Sequence, residues 1–273
     1  MTQIRSILLH LDATSASVGR LAFAHALADR QGARVTALFG VRPDTDQVAF
    51  AYSAGAAISA AERGETPHLR ERERLRALLA GREPECTWCD VVGDTLVHAI
   101  VAESIYADLL VLGQQDDDEP GGPPPGFVEA AILQSGVPAI VVPYPHRQET
   151  LGERVLVAWN GSAQSARALK AALPLLRLAS RVHVASWARH LPVAPFSGLD
   201  VHAWLHRHGV AARVHLREPS AHVDKALAQL AVDERADLVV MGCYGHSRLR
   251  EQVFGGVSRG ALATLPVPIL MAH

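Results

Sequence analysis

Lysine is almost missing from this chain: Lys170 and Lys225 are the two in 273 residues, and neither follows a glycine-rich run. A P-loop needs a lysine directly after its glycines, so P-loop kinases and GTPases are excluded. The GxGxxG fingerprint is absent as well, which argues against a dinucleotide oxidoreductase. Aromatic residues reach only 5%, so any core has to be aliphatic, built from Ala, Val and Leu. Cysteine occurs three times, an odd number that makes no disulfide framework and suits a reducing cytoplasm. No uninterrupted apolar run approaches the about twenty residues a bilayer span requires. The opening run Ile7–Leu11 stops at Asp12, so no signal peptide or membrane contact is expected. A formal charge of −2 offers no bulk attraction to nucleic acid either.

What the chain does have is a pattern written twice. ADLLVLG at 107–113 is answered by ADLVVMG at 236–242, and GVPAIVVP at 136–143 by PVPILMAH at 266–273. Near the starts, ILLHLDATSAS at 7–17 matches VLVAWNGSAQS at 155–165, and ARVTALFGV at 33–41 matches SRVHVASWA at 180–188. Matched blocks in one order imply two copies of a single domain. Pro143, Pro145 and Gly152 punctuate the junction, and the expected domains are 1–146 and 152–273.

Within each copy, apolar runs such as Ile7–Leu11, Leu109–Leu112, Val137–Val142, Val155–Trp159 and Leu238–Met241 do not alternate with polar residues. Such runs suit strands covered on both faces of a parallel sheet. Between them lie Ala- and Leu-rich stretches at helical spacing, Val18–Arg30, Ala163–Leu178 and Val223–Glu234. The expected fold is therefore α/β: two tandem doubly wound domains, each with a mostly parallel sheet of about five strands. Copy 1 also carries a long middle segment with HLRERERLRALLAG, read as an amphipathic helix with a solvated charged face.

MGCYGHSRLREQVFGGVSRGAL, from Met241 to Leu262, is the stretch that carries chemistry. It leaves a strand at Gly242 and enters a helix near Gly255–Gly256. In a doubly wound sheet, ligands settle at such strand exits, and the first N–H groups of a helix suit a phosphate. Turn geometry alone is the competing explanation and would account for two of the four glycines. The spacing Gly242-x2-Gly245-x9-Gly255 resembles the nucleotide-binding signature of the universal stress protein family, G-x2-G-x9-G-[S/T]. The preceding ADLVVMG and the final PVPIL are similar to that family too, and the resemblance spans both copies.

The resemblance implies an adenine nucleotide alpha hydrolase-like fold and ATP, or another adenine nucleotide, as ligand of the second copy, with or without Mg. Gly242, Gly245 and Gly255 would line the phosphates, with Gly256, Val257 and Ser258 at the helix start and His246 and Arg248 as basic contacts. Gly256 stands where the family usually has Ser or Thr, and Asn160 where it usually has Asp near the adenosine. Trp187 falls near the adenine, where it would stack on the base, block it, or serve only as a core residue. The resemblance further implies an internal pseudo-dimer of the two copies through their last strands, and a homodimer is open. Copy 1 departs more sharply. Its loop reads QQDDDEPGGPPPG, with Asp116 at the second glycine position and Asp117, Asp118 and Glu119 beside it. Four acidic groups repel a polyphosphate and prolines remove donors, so copy 1 is expected to be degenerate.

Other chemistry is weaker. Cys86 and Cys89 of CTWC sit in a strand-like run that sends them to opposite faces, against a shared metal or disulfide. Cys243, inside the glycine loop, is left open as an exposed, reactive thiol, with no Cys–His–Asp grouping to make it a nucleophile. His202 and His206, four apart on a helix, lack a third metal ligand. No catalytic residue stands out, and slow ATP hydrolysis has no general base or arginine finger to support it. The expected function is thus a cytoplasmic nucleotide-binding sensor or regulator of stress, without nucleic-acid or membrane partners and with no metal-ligand residue assigned. A protein-interaction module with a decayed site is the alternative.

Overall fold

The computed structural model describes residues 3–40, 67–79, 86–91, 95–116, 119, 121–145, 150–243 and 256–273. The first half contains β1 (Ser6–Leu11), α1 (Ala16–Gln31), β2 (Arg34–Phe39), α2 (Pro67–Leu79), β3 (Cys86–Asp90), α3 (Leu96–Ser104), β4 (Leu109–Gly113), α4 (Phe127–Ser135) and β5 (Ala139–Val142). The second half repeats the scheme: β6 (Arg154–Ala158), α5 (Ala163–Leu176), β7 (Arg181–Ser186), α6 (Val201–Arg207), β8 (Ala212–Leu216), α7 (Val223–Asp233), β9 (Leu238–Gly242), α8 (Gly256–Thr264) and β10 (Ile269–Ala272). Among these elements no helix is long and apolar enough to cross a membrane.

All ten strands form one sheet in the order β3-β2-β1-β4-β5-β10-β9-β6-β7-β8. Neighbours within each half are parallel, and the halves meet where β5 pairs antiparallel with β10. The last strands thus join the two halves through Val141, Ile140 and Ala139 opposite Ile269, Leu270 and Met271. Two ties reinforce the junction. Arg30, in the last turn of α1, donates to the carbonyls of Leu151 (2.7 Å) and Leu178 (2.9 Å), beyond the end of α5. Gln114, after β4, donates to Leu262 O at 2.8 Å.

The non-alternating strands are buried on both faces, as expected for a doubly wound sheet. Ile7, Leu9 and Leu11 of β1 belong to one core cluster with residues of α1, α2, α5 and α6, whereas Leu8 belongs to the other, with residues of α3, α4, α7 and α8. Each fully buried aliphatic side chain of this kind stabilises the fold by about 1.5–3 kcal/mol. The charged helix α2 buries Leu75 and Leu79 and leaves Leu69 and Arg70 outside. Arg72 ties it to β3 through a bidentate pair with Asp90, at 2.7 and 2.5 Å.

The aspartate of the repeated ADL motif has a structural task. Asp237 is buried and accepts from Thr150 Oγ1 at 2.6 Å and from the N–H groups of Glu153 and Arg154, both at 3.0 Å. Asp108 does the same in the first half, accepting from Arg5 N at 2.8 Å and Ser6 N at 3.0 Å. Each carboxylate ties the edge of the fourth strand to the entry of the first. Asp237→Ala leaves two backbone donors unpaired, and thermal or urea unfolding should show a loss of about 2–4 kcal/mol.

Candidate functional site

In each half the strand order reverses beside the first strand, between β1 and β4 and between β6 and β9. Chains that leave adjacent strands for opposite faces of a sheet open a crevice at the carboxyl ends. The two crevices are built from matching residues and filled differently.

In the second half the crevice is bordered by Asn160, the N-terminus of α5 and the exit of β9. Asn160 is exposed, and its Oδ1 accepts from Ser162 N at 3.1 Å. Ser162 caps α5, accepting from Ser165 N at 3.1 Å. Gly242 ends β9 directly against that helix: a Cβ there would stand 2.3 Å from Ser165 N and 2.4 Å from the Gln164 carbonyl carbon. Helix backbone cannot yield like a flexible side chain, so packing alone already demands glycine at 242. Trp187 follows β7, half-buried, and packs against the α3–α4–α7–α8 cluster.

Gly256 begins α8. It is exposed, and no atom of the described residues lies within 4 Å of the position a Cβ would take. Val257 packs against the same cluster as Trp187, and Ser258 is buried. Gly245, His246, Arg248 and Gly255 lie outside the described residues. Two buried polar atoms near the carboxyl ends of β6 and β7, Trp159 Nε1 and Ser186 Oγ, have no hydrogen-bond partner among the described residues.

The first half presents the opposite picture. Asp12, in the place of Asn160, is buried and bonded on every side. It accepts from Thr14 N (3.0 Å), the Thr14 hydroxyl (2.5 Å) and the Ser17 hydroxyl (2.8 Å). Arg20 Nη2 pairs with its Oδ2 at 2.8 Å and donates to Ser17 Oγ at 2.7 Å. The guanidinium lies against Gly113, where a Cβ would collide with it at 1.8 Å. Alanine, Ala168, occupies the matching position of α5. The acidic loop folds back as well: Glu119 Oε1 accepts from Ser15 N at 3.2 Å, at the start of α1, and Ala13 N donates to Gly121 O at 3.0 Å. A carboxylate of the chain itself thus takes the helix N-terminus that would attract an anion.

Burial pushes the Asp12 carboxyl up, but the Arg20 guanidinium, then His10 and the Thr14 and Ser17 hydroxyls, outweigh it and hold the group well below the usual carboxylate range. Burial lowers His10 to about 4, so this imidazole is neutral at physiological pH. Its Nε2 lies 3.0 Å from Gly40 O. Asp117 and Asp118 of the acidic loop lie outside the described residues.

The structure decides against the reactive Cys243 that the sequence left open. The residue is only 1% exposed, its N–H donates to Ala272 O at 3.1 Å, and burial pushes the thiol up to about 12. Such a thiol is almost wholly protonated at neutral pH and a poor nucleophile. Cys86 and Cys89 are free thiols on β3. His202 and His206 are exposed on α6 and belong to no ligand cluster among the described residues. A cluster that sequence reasoning missed is His183, His215 and Glu234, drawn together from β7, β8 and the end of α7.

The family model described as the universal stress protein family matches residues 152–273. The second half of this chain is thus similar to the universal stress protein family. Over the whole chain, the fold is that of a universal stress protein from Archaeoglobus fulgidus, with a TM-score of 0.66 at 18% identity, covering 99% of this chain and 97% of that one. A functionally unknown protein from Pseudomonas aeruginosa aligns with a TM-score of 0.60 at 16% identity, covering 98% and 92%. A universal stress protein in complex with cAMP aligns over 51% of this chain and 97% of its own, at 17% identity and a TM-score of 0.33. The sequence matches no curated protein. At these identities the solved structures speak for the fold, and the half that the family model matches is where the glycine signature lies.

Proposed function

We propose that the second half binds ATP or a related adenine nucleotide in the crevice between β6 and β9, as a cytoplasmic sensor or regulator rather than an enzyme. The contrast between the two crevices carries this reading. One is closed by its own Arg20–Asp12 pair and by Glu119 on a helix start. The other replaces Asp12 and Arg20 with Asn160 and Ala168. Gly245 and Gly255 would let the phosphates approach backbone N–H groups, the start of α8 would present its unpaired donors, and His246 and Arg248 would supply positive charge. Asn160 would offer an amide to the ribose or base. Gly256 lacks the hydroxyl that the family usually supplies, at a cost of roughly 0.5–1.5 kcal/mol of binding. Domains 1–146 and 152–273 would then divide the work, one as a closed partner and the other as the ligand-binding half.

The second reading, an interaction module with a decayed site, is favoured by Gly256 and Asn160 themselves. The two separate cleanly. Mass spectrometry of nucleotide released from purified, denatured protein, with a calorimetric ATP titration, should find adenine nucleotide carried or bound saturably. Neither carried nucleotide nor saturable binding up to millimolar ATP would leave the interaction module standing.

A further inference from the structure

The chain brings two imidazoles and a carboxylate to one point, two strands away from β9. His183 is in β7, His215 in the edge strand β8, and Glu234 follows α7 as its C-cap. His183 Nδ1 is 2.9 Å from His215 Nε2 and 3.3 Å from Glu234 Oε2, and His215 Nε2 is 3.8 Å from Glu234 Oε1. The rings are stacked, with centroids 5.0 Å apart and planes 18° from parallel.

Protons satisfy this arrangement poorly. Two imidazole nitrogens facing each other at 2.9 Å have room for one hydrogen between them. If His215 donates it, the His183 Nδ1 lone pair also faces the Glu234 carboxylate. If His183 donates it to His215, the carboxylate receives nothing from that nitrogen. Charging both rings would set two N–H groups against each other. A cation at the common point serves all three groups at once.

We propose that His183, His215 and Glu234 form a binding site for a divalent transition metal, with zinc the best fit and water completing the coordination. Two imidazoles with one carboxylate is an established zinc donor set, and tetrahedral coordination at about 2.0–2.1 Å separates ligand atoms by roughly 3.3 Å. The three observed separations of 2.9, 3.3 and 3.8 Å bracket that value. Burial, above all other influences, lowers the His215 pKa, favouring the neutral imidazole that a metal needs. The negative end of the α7 dipole lies at Glu234 and also favours a cation. Arg213 and Arg217, which help to depress His215, are the opposing charges. They make the site weaker than it would otherwise be.

The first half shows that the fold itself does not call for these residues. By strand register, Thr36 and Cys89 stand where His183 and His215 stand, and Ile105 takes the place of Glu234. The site belongs to one half only, and it is separate from the β6–β9 crevice, so it needs no nucleotide.

Full-length protein stripped with a chelator and dialysed should take up one equivalent of Zn²⁺, measured by competition with a chromogenic chelator. Co²⁺ should give the intense visible bands of a four-coordinate site. His215→Ala and Glu234→Gln change partly buried side chains, and circular dichroism checks that both variants keep the fold. Each should weaken Zn²⁺ binding by about 100-fold or more, well beyond the 10–100-fold typical for losing an outer-shell partner. His202→Ala/His206→Ala should bind as the parent does. The proposal is overturned if the parent takes up no Zn²⁺ below about 100 μM, or if folded His215→Ala and Glu234→Gln keep its affinity. It is equally overturned if the His202→Ala/His206→Ala variant is the one that loses the metal. Because the assay contains no nucleotide, its failure leaves the crevice reading untouched.

Discussion

Replacing Arg20 by alanine should cost the protein about 3–5 kcal/mol at neutral pH, the usual penalty for leaving a buried charge without its partner. The side chain is only 3% exposed, and its guanidinium is the cation nearest to a carboxylate that is 1% exposed. Thr14 and Ser17 would still donate hydrogen bonds to Asp12, but hydroxyls cannot neutralise a charge in a low-dielectric site. The double variant Asp12→Asn/Arg20→Ala copies Asn160 and Ala168 of the other half. It should recover a good part of the loss, so that the two single costs do not add. Equal losses in the single and double variants would show that Arg20 matters through volume alone.

Proton linkage gives the same pair a second signature. Burial lowers His10 to about 4 from 6.5, so between those values the unfolded chain binds a proton that the folded chain refuses. This contribution is fully present above pH 6.5 and is lost as pH falls toward 4, by about 3 kcal/mol at 1.36 kcal/mol per unit. Asp12 works in the same direction at lower pH: its folded value is depressed, so its stabilisation is present above the ordinary carboxylate range and lost below it. Removing Arg20 changes the sign of the problem. Asp12 then gains by becoming protonated or by charging His10, 3.9 Å away, and the penalty of Arg20→Ala should shrink as the pH is lowered toward 5. Urea titrations at pH 7.5 and 5 would measure it. A penalty independent of pH would mean that Asp12 is not charged at neutral pH.

These effects mark where the chain could be read directly and where it could not. The strands were legible because Leu109–Leu112 and Leu238–Met241 are apolar throughout, which only two-sided burial explains, and both lie in β4 and β9. The doubled pattern carried the tandem arrangement for the same reason. Arg20 was hidden, because an arginine on an amphipathic helix ordinarily snorkels to solvent, and nothing local announces a glycine opposite it at 113. Cys243 stayed open because a glycine-rich context suggests exposure, whereas its N–H in fact continues the bonding toward β10. Gly242 belongs to both accounts: it lies in the signature, yet the close approach of α5 explains it without a ligand. The histidine cluster depends on the pairing of β7 with β8 and on the end of α7, so the only trace in the sequence is the twinned RVHV at 181–184 and RVHL at 213–216.

Gly245→Asp should abolish nucleotide binding, a loss of at least about 100-fold, or 2.7 kcal/mol, while the melting temperature stays close to that of the parent. Residue 245 itself lies outside the described residues, but its counterpart in the first half is Asp116, on a chain that keeps the same strand order and helices. An aspartate is therefore compatible with the fold at this point. What it adds is a negative charge and a side chain beside the place where phosphates would sit. In the first half, Glu119 of this loop turns back to the helix start, where it accepts from Ser15. A carboxylate in the second half would compete for α8 or α5 donors in the same way, and would repel a polyphosphate by several kcal/mol if water is excluded. Gly256→Ser points in the opposite direction. Among the described residues nothing meets a Cβ there, and the added hydroxyl should tighten binding by about 2- to 10-fold, as one new hydrogen bond worth 0.5–1.5 kcal/mol allows. If Gly245→Asp binds ATP as tightly as the parent and Gly256→Ser changes nothing, the nucleotide is held somewhere other than the β6–β9 crevice.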